Sequence, residues 1–269
     1  MAEKHKISEI ASLLGVTTHM LRYYEKRGII RPEVDPENGY RYYSVIDTRR
    51  FNLCRVYRSL GFSLDESKQL LENIEASEVP TLFDRRVSDA RKEIFCAQEK
   101  IKILEERKRI LIDLDQYVDA IHRIHVPAFY RLAFSQKEVP EKDIIRIRDT
   151  WLEYLPLVNW SSCIPKEVQQ RGEGDLYYRY GLDVPVEYAE YLSLYHDDPV
   201  TLVPEADYIS TIFVKDNGPD YTWDNIEVMQ RYLEAHPELE SEEAYSNILN
   251  SRIINGKHVN YHYYRVRLR

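Results

Sequence analysis

The tripeptide Arg-Tyr-Tyr occurs twice near the amino terminus, at 22–24 and again at 41–43. A guanidinium beside phenol rings can belong to a core, to a drug pocket or to a contact with a nucleic-acid backbone. Residues 22–58 hold nine Lys/Arg against five Asp/Glu, although the whole chain has a formal net charge of −8. The composition therefore allows a local positive face on an acidic protein, and the surrounding elements must position it.

Two short amphipathic helices are predicted around the first tripeptide. Apolar residues recur with helical spacing from Ile7 to Leu14, Gly15 can end that helix, and Thr17 can cap the next one. The second helix buries one face and presents polar and basic residues on the other: Thr18, His19, Arg22 and Lys26, with Tyr23 at the flank. Two short helices joined at a glycine turn are typical of a helix-turn-helix, whose second helix enters the major groove.

A hairpin is predicted around the second tripeptide. The segment RPEVDPENGYRYYS has two prolines that exclude a helix, and Asn38-Gly39 is a strong hairpin signal. On such a strand Arg41 and Tyr43 share one face, so they and the Arg-Tyr pair of the helix could hold the same stretch of DNA backbone. Three other tyrosines fall on inward-facing positions and are expected in the core: Tyr24, Tyr40 and Tyr57.

A third helix is predicted from about Asp47, with Arg49 and Arg50 pointing outward, and a capping box at 63–66 starts a fourth helix. The motifs LRYYE, GYRYY and GFSL stand in order in this stretch. Together they closely resemble the winged-helix DNA-binding domain of the MerR family of transcription regulators, over about the first 75 residues. The resemblance implies a dimer on promoter DNA, beside RNA polymerase, which ligand binding shifts so that the DNA is kinked and underwound. In that setting Thr18 and His19 are the expected readers of bases.

Residues 80–121 are predicted as one long helix. Val87, Ile94 and Ile101 recur every seven residues, which favours pairing with a second copy of the same helix. The resemblance implies an antiparallel coiled coil between two subunits, hence a homodimer. A helix packed on its own domain is the alternative.

The remaining segment repeats the order strand, helix, strand, strand. In its first half, VPAFYRLAFS, KEVQQRG and LYYRYGLDV are the strand candidates. We interpret this as an internal duplication, which resembles the GyrI-like small-molecule-binding domain of multidrug-sensing regulators. The predicted fold class is α+β, with a winged helix-turn-helix at 1–75, a coiled-coil dimerisation helix at 76–121 and a duplicated β-α-β-β effector-binding domain at 122–269.

Aromatic side chains are expected around a cleft between the two repeats, where they suit a flat aromatic or lipophilic cationic effector. The predicted ring residues are Trp151, Tyr154, Tyr178, Tyr180, Tyr261 and Tyr263. In drug-sensing relatives a buried glutamate on the last strand meets a cationic drug. Here that strand, NYHYYRVRLR, has no acid and Tyr263 takes the place, so affinity for a lipophilic cation would rest on tyrosine faces or on an acid from elsewhere, such as Glu153 or Glu190.

Other classes of function find little support in the sequence. No apolar run is long enough for a membrane span and no signal core is visible, so a cytoplasmic location is expected. The cysteines are far apart and predict neither a metal site nor a disulfide. No cofactor and no enzymatic activity are predicted. Two alternatives remain open: a GyrI-like hydrolase of reactive small molecules fused to a DNA-binding domain, and an architectural DNA-binding protein.

Overall fold

The computed structural model describes residues 5–72, 74–75, 77–134, 141–171, 176–216 and 221–269. The chain forms two compact units, Met1–Glu93 and Ile94–Arg269. The boundary between them lies inside the long helix, and our division into three segments stays a prediction.

The first unit contains short helices and a small sheet. Its elements are β1 (His5–Lys6), α1 (Ile7–Leu14), α2 (Thr18–Lys26), β2 (Glu33–Val34), β3 (Arg41–Tyr43), α3 (Val45–Ser59) and α4 (Leu64–Glu72). Gly15 ends α1 in the left-handed region, at φ 62°, and the Thr17 hydroxyl accepts a hydrogen bond from the Met20 N–H to begin α2. The predicted helix-turn-helix is confirmed.

The wing is a sheet in which β3 pairs antiparallel with β1 on one side and β2 on the other. The turn between β2 and β3 is longer than a two-residue hairpin. The Asp35 carboxylate accepts hydrogen bonds from the Glu37 and Asn38 N–H groups, and Gly39 adopts φ 70°. An aspartate that binds the backbone of its own turn fixes this conformation.

The core of the first unit gathers side chains from all of its helices. Leu21 and Tyr24 of α2 pack with Phe51 and Cys54 of α3, and the rings of Tyr24 and Phe51 meet edge to face with centroids 4.9 Å apart. Each buried large apolar side chain contributes on the order of 1.5–3 kcal/mol. This cluster therefore fixes α2 against α3 and sets which face of α2 points outward.

The long helix α5 (Val79–Ile112) ends earlier than we predicted. Asp113 leaves the helical conformation, at φ −104° and ψ 27°, and the short α6 (Leu114–Tyr117) follows. The reason is packing, since Leu114 is buried together with Ile110, Ile212 and Leu249. A straight helix to residue 121 would lose this contact with the sheet of the second unit.

The second unit consists of a large sheet with helices. Its further elements are β4 (His122–Val126), β5 (Phe129–Phe134), α7 (Lys142–Leu152), β6 (Asn159–Ile164), α8 (Lys166–Arg171), β7 (Arg179–Pro185), α9 (Val186–Leu192), β8 (Thr201–Val203), β9 (Ala206–Asp216), a 3₁₀ turn (Trp223–Ile226), α10 (Glu227–Ala235), β10 (Ser241–Ile254) and β11 (Lys257–Leu268).

The strand order of this sheet shows the internal duplication. Among the described residues the order is β4-β9-β11-β10-β6-β7-β5-β8, and each strand is antiparallel to its neighbours. The units β5-α7-β6-β7 and β9-α10-β10-β11 each place their third strand between the first two, and they join through β6 and β10. The predicted α+β class, with a duplicated strand-helix-strand-strand unit, is confirmed.

One strand of the first repeat was misplaced in our prediction. KEVQQRG contributes the helix α8, and the missing strand is β6, with the sequence NWSSCI. Lys, Glu and Gln are good helix formers, and Pro165 precedes the helix, where its missing N–H costs nothing. Because β6 contains two serines, it lacks the apolar run that predicts a strand, although it lies at the centre of the sheet.

Candidate nucleic-acid interface and ligand cavity

The outer face of α2 brings together the helix residues that we predicted to contact DNA. Because the core fixes the opposite face, this one is open to solvent, and its exposed residues are Thr18, His19, Arg22, Tyr23 and Lys26. The Tyr23 ring is 42% exposed, and the Arg27 guanidinium lies 5.5 Å from its centroid. Within the described residues, no ion pair engages Arg22 or Lys26. Both cations are therefore available to phosphate groups.

Arg41 of the wing is exposed but held in place. Its Nε donates to Glu25 Oε1 at 2.8 Å, so the wing arginine is attached to the end of α2. The carboxylate raises the pKa of Arg41 above its ordinary value. The ion pair orients the guanidinium beside the helix surface that carries Arg22.

Tyr43 was wrongly predicted as a backbone contact. Its ring is only 1% exposed and belongs to the core, where the hydroxyl donates to Glu25 Oε2 at 3.4 Å. Burial, followed by the nearby Glu25 carboxylate, raises the pKa of Tyr43 to about 12. The exposed wing ring is Tyr40, at 60% exposure, with Lys6 Nζ 5.9 Å from its centroid. The core assignment of Tyr40 was therefore also wrong.

The two arginines of α3 that we predicted to contact DNA differ, since one is exposed and the other is structural. Arg49 is exposed. Arg50 is half-buried: its Nε donates to the Ile29 carbonyl at 2.8 Å and its Nη2 to Glu72 Oε1 at 2.5 Å. The prediction that Arg50 points outward is wrong, because its donors hold the loop after α2 to the end of α4.

The second unit contains a cavity of about 640 Å³, the central cavity, whose walls come from both β-α-β-β repeats. Tyr178 and Tyr180 of the first repeat line it, as predicted. The Tyr178 ring meets Tyr221 of the second repeat edge to face at 4.7 Å. Phe134 and Trp160 form another edge-to-face pair, at 5.7 Å. Such surfaces accept a planar apolar molecule.

A polar network lies across the same cavity. The Tyr221 hydroxyl is 3.2 Å from His262 Nδ1 and 3.4 Å from the hydroxyls of Ser162 and Ser246. Phe213 stacks on the His262 ring at 4.9 Å. Burial, followed by the nearby Lys215 ammonium, lowers the pKa of His262 to about 4, so the imidazole is neutral near pH 7.

Comparison with known proteins assigns the first unit. Residues 5–74 match the model of the MerR HTH family regulatory proteins. A probable heavy metal-dependent transcriptional regulator of Haemophilus influenzae is 36% identical over 104 residues, which cover 37% of this chain and 81% of that protein. The chain belongs to the MerR family. It is a DNA-binding transcription regulator of that family.

Other relatives support the same family. HmrR of Rhizobium leguminosarum is 34% identical over 119 residues, which cover 44% of this chain and 83% of HmrR. Alignment with CueR of Escherichia coli covers 24% of this chain and 48% of CueR. Most of this MerR-family chain lies outside each of these alignments.

A structural comparison spans nearly the whole chain. The alignment with the EcmrR–DNA complex in EcmrR-RPo, solved by cryo-electron microscopy, covers 98% of this chain and 99% of that one, with 15% identity and a TM-score of 0.41. Similarity at this level is too low to carry a functional assignment.

The other predicted ligand residues of the MerR-family chain lie away from the central cavity. Trp151 is fully buried in the core, where its indole N–H donates to the Tyr195 carbonyl at 3.1 Å, so its assignment to the cleft is wrong. Tyr154 packs against the same core. Glu153 and Glu190 are exposed on helix ends and outside the lining. Neither supplies a charge to this cavity.

Tyr261 and Tyr263 lie on the opposite side of β11 from His262. They pack with the cluster around Leu114, and Tyr263 lines a smaller cavity of about 420 Å³. That cavity also has two acids, Glu106 and Asp183, each bound by an arginine: Arg109 and Arg131 respectively. Tyr263 therefore does not line the central cavity, because residues of alternate phase face opposite sides of a strand and His262 faces that cavity.

Sequence reasoning missed most of the polar lining of the central cavity. The missed residues are widely separated: Ser162 lies on β6, Lys215 on β9, Tyr221 just before the 3₁₀ turn, and His262 on β11. Their separation in sequence left no local signal, although the alternation YHYY in β11 marked His262 as facing away from its tyrosine neighbours.

The described residues provide neither a membrane-spanning helix nor a metal-binding cluster. Within the described ranges, no helix combines the length and apolar character needed to cross a bilayer. In the same ranges, no group of three or more His, Cys, Asp or Glu side chains could hold a metal ion.

Proposed function

We propose that this chain is a homodimeric, ligand-responsive activator that binds promoter DNA and acts on RNA polymerase there. The observation that carries the proposal is the outer face of α2. Its core-facing side is fixed by Leu21 and Tyr24, and its exposed side presents polar and basic groups at the spacing of a groove-reading helix. Thr18 and His19 would read base edges, while Arg22, Lys26, Arg41 and Arg49 would contact phosphates.

The dimer is supported by α5. Apolar residues on this helix remain widely exposed in the single chain: Val87 at 49%, Ile94 at 59%, Ile101 at 55% and Leu104 at 66%. Their spacing is that of a coiled-coil seam, and a second copy of the helix would bury them. We propose an antiparallel coiled coil within residues 76–121, which joins the DNA-binding segment 1–75 to the effector-binding segment 122–269.

The effector site is proposed to be the central cavity, in a domain of the GyrI-like type. Support comes from the duplicated β-α-β-β topology and from the aromatic walls contributed by both repeats. A cavity of this size holds a drug-sized molecule. A small aromatic compound is the effector that these walls favour, and a lipophilic cation is the alternative of the multidrug-sensing type.

The proposed activation follows from unequal binding. A ligand that binds the dimer more tightly when the promoter is kinked and underwound shifts the complex toward that state by the difference in affinity. Bending the DNA of a protein-binding site costs on the order of a few kcal/mol. One ligand bound in each subunit can supply that free energy.

The test begins with selection of duplexes bound by the intact protein. We expect a two-fold symmetric site. A thermal-shift screen of planar aromatics and lipophilic cations would then supply compounds for transcription from a promoter that contains the site. Increased transcription with a bound compound supports the proposal. DNA binding without sequence preference, together with no response to any bound compound, would favour an architectural protein.

A further inference from the structure

We infer that the smaller cavity, of about 420 Å³, is a second ligand site that binds a small apolar carboxylate, whose charged group is held by Arg265 of β11 and Arg107 of α5. This site differs from the effector site that we propose in the central cavity, because Arg265 lines only the smaller of the two. The inference goes beyond the proposed function and does not rest on it.

The guanidinium of Arg265 is half-buried and packed against aromatic rings. Its Cζ lies 5.6 Å from the ring centroid of Phe129, 5.9 Å from that of Tyr208 and 5.8 Å from that of Tyr245. Stacking uses the face of a guanidinium and leaves the N–H donors at its edge. Within the described residues, neither a hydrogen bond nor an ion pair engages these donors, and the Nε atom is buried without an acceptor. The terminal Nη groups are therefore left for a ligand, and they can bind a carboxylate in parallel.

The two acids that line the same cavity already have donors of their own. Asp183 Oδ1 accepts from Arg131 Nη1 and Asp183 Oδ2 accepts from the Ser161 hydroxyl, each at 2.5 Å. The two oxygens of Glu106 accept from Arg109, at 2.8 Å and 3.0 Å. Because these carboxylates are engaged, neither is bonded to the unpartnered guanidinium on β11. A ligand cation would have to compete with the donors that each acid already has.

The long helix α5 supplies a second guanidinium to this cavity. Arg107 is half-buried and lines it, and in the part of the chain that the structure describes no hydrogen bond or ion pair engages Arg107. Two like charges in a partly buried space repel each other, and a carboxylate bound by both replaces that repulsion with charge-assisted hydrogen bonds. The apolar side chains of Ile103, Val126 and Phe129 line the same space and suit a small apolar body. Such a ligand would link α5 to β11.

The test uses three probes of similar shape and different charge: 3-phenylpropionate, 3-phenylpropanamide and 3-phenylpropylammonium. Calorimetric titration of the intact protein at pH 7 should show phenylpropionate binding about tenfold or more tightly than phenylpropanamide, as hydrogen bonds between charged groups imply. Phenylpropylammonium should bind most weakly. Equal or tighter binding of the ammonium probe, or no binding of phenylpropionate, would overturn the inference.

Substitutions of Arg265 test the residue and the cavity together, since Arg265 does not line the central cavity. Arg265→Met should weaken phenylpropionate binding about tenfold and change phenylpropanamide binding less than about twofold. The matched control is Arg252→Met. Arg252 also lies against a tyrosine ring, with its Cζ 5.6 Å from the centroid of Tyr261, but it is exposed and outside the lining, so all three affinities should stay unchanged. An unaltered ratio of phenylpropionate to phenylpropanamide affinity in Arg265→Met would contradict the inference.

Two further variants cover the case in which Arg265→Met does not fold. Arg107→Met should also reduce the preference for phenylpropionate about tenfold. Val126→Phe narrows the smaller cavity without altering the described lining of the central one, and should weaken phenylpropionate and phenylpropanamide alike. Unchanged binding in both variants would show that the carboxylate lies elsewhere. In the wild type, bound phenylpropionate should slow amide hydrogen exchange in α5 around Arg107, and unchanged exchange would count against Arg107 as a ligand.

Discussion

Replacing Arg22 with alanine tests the placement of α2 on DNA. Arg22 is exposed, and within the described residues no ion pair engages it, so its removal should leave the fold intact. A charge-assisted contact with phosphate contributes on the order of 1.5–3 kcal/mol. In a dimer that uses Arg22 once per subunit, we expect operator affinity to fall about a hundredfold or more.

The salt dependence gives a second magnitude for the same variant. Each phosphate contact contributes about 0.9 to the slope of log affinity against log salt concentration. Loss of one contact per subunit should therefore flatten the slope by about 1.8 for the dimer. Fluorescence anisotropy of a labelled operator at several salt concentrations measures both quantities, and binding of the effector should be unchanged.

Arg50→Ala is the matched control in the same unit. Arg50 has the same charge, but its donors are used by the Ile29 carbonyl and Glu72. Its removal should lower the free energy of unfolding and leave the salt slope unchanged. If Arg22→Ala retained the wild-type slope and affinity, the outer face of α2 would not contact phosphates through Arg22.

Three further predictions concern the fold and the assembly. As the pH falls from about 6.5 to 4, the free energy of unfolding of the wild type should decrease by up to about 3 kcal/mol. The reason is that His262 has a lowered pKa in the fold and its ordinary pKa in the unfolded chain, which therefore takes up the proton first. His262→Phe should remove this pH dependence in denaturant titrations. Gly181→Ala should lower the free energy of unfolding by about 1–3 kcal/mol, since an added Cβ would lie 2.7 Å from the Leu132 carbonyl oxygen, and an unchanged denaturation midpoint would contradict this. Ile101→Asp should convert the dimer to a monomer in light scattering, because it places a charge in the proposed seam.

The sequence predicted the first unit well because its signals are local. The glycine after α1, the capping threonine before α2 and the helical spacing of apolar residues all lie within a few positions of one another. The error at Tyr43 has a specific cause. Strand alternation placed Tyr43 and Arg41 on one face, but it could not tell which face the core would cover, and Tyr43 is drawn inward beside Glu25.

The cavity was less predictable because it depends on distant pairings. The order of elements indicated a duplicated domain and placed Tyr178 and Tyr180 correctly. The polar lining depends on the pairing of β9 with β11, which brings Lys215 opposite Asn260. No local pattern contains that register, and for the same reason the burial of Trp151 and the position of Tyr261 and Tyr263 outside the central cavity could not be foreseen.

Hydroxyl-radical footprinting of the intact protein on its selected duplex, at low ionic strength, tests whether a dimer of this chain contacts DNA through α2 of each subunit. We expect protected backbone at two symmetric positions about one helical turn apart, as a dimer that presents one α2 in each half-site requires. A uniformly unprotected duplex under these conditions would show that the chain does not bind DNA in this way.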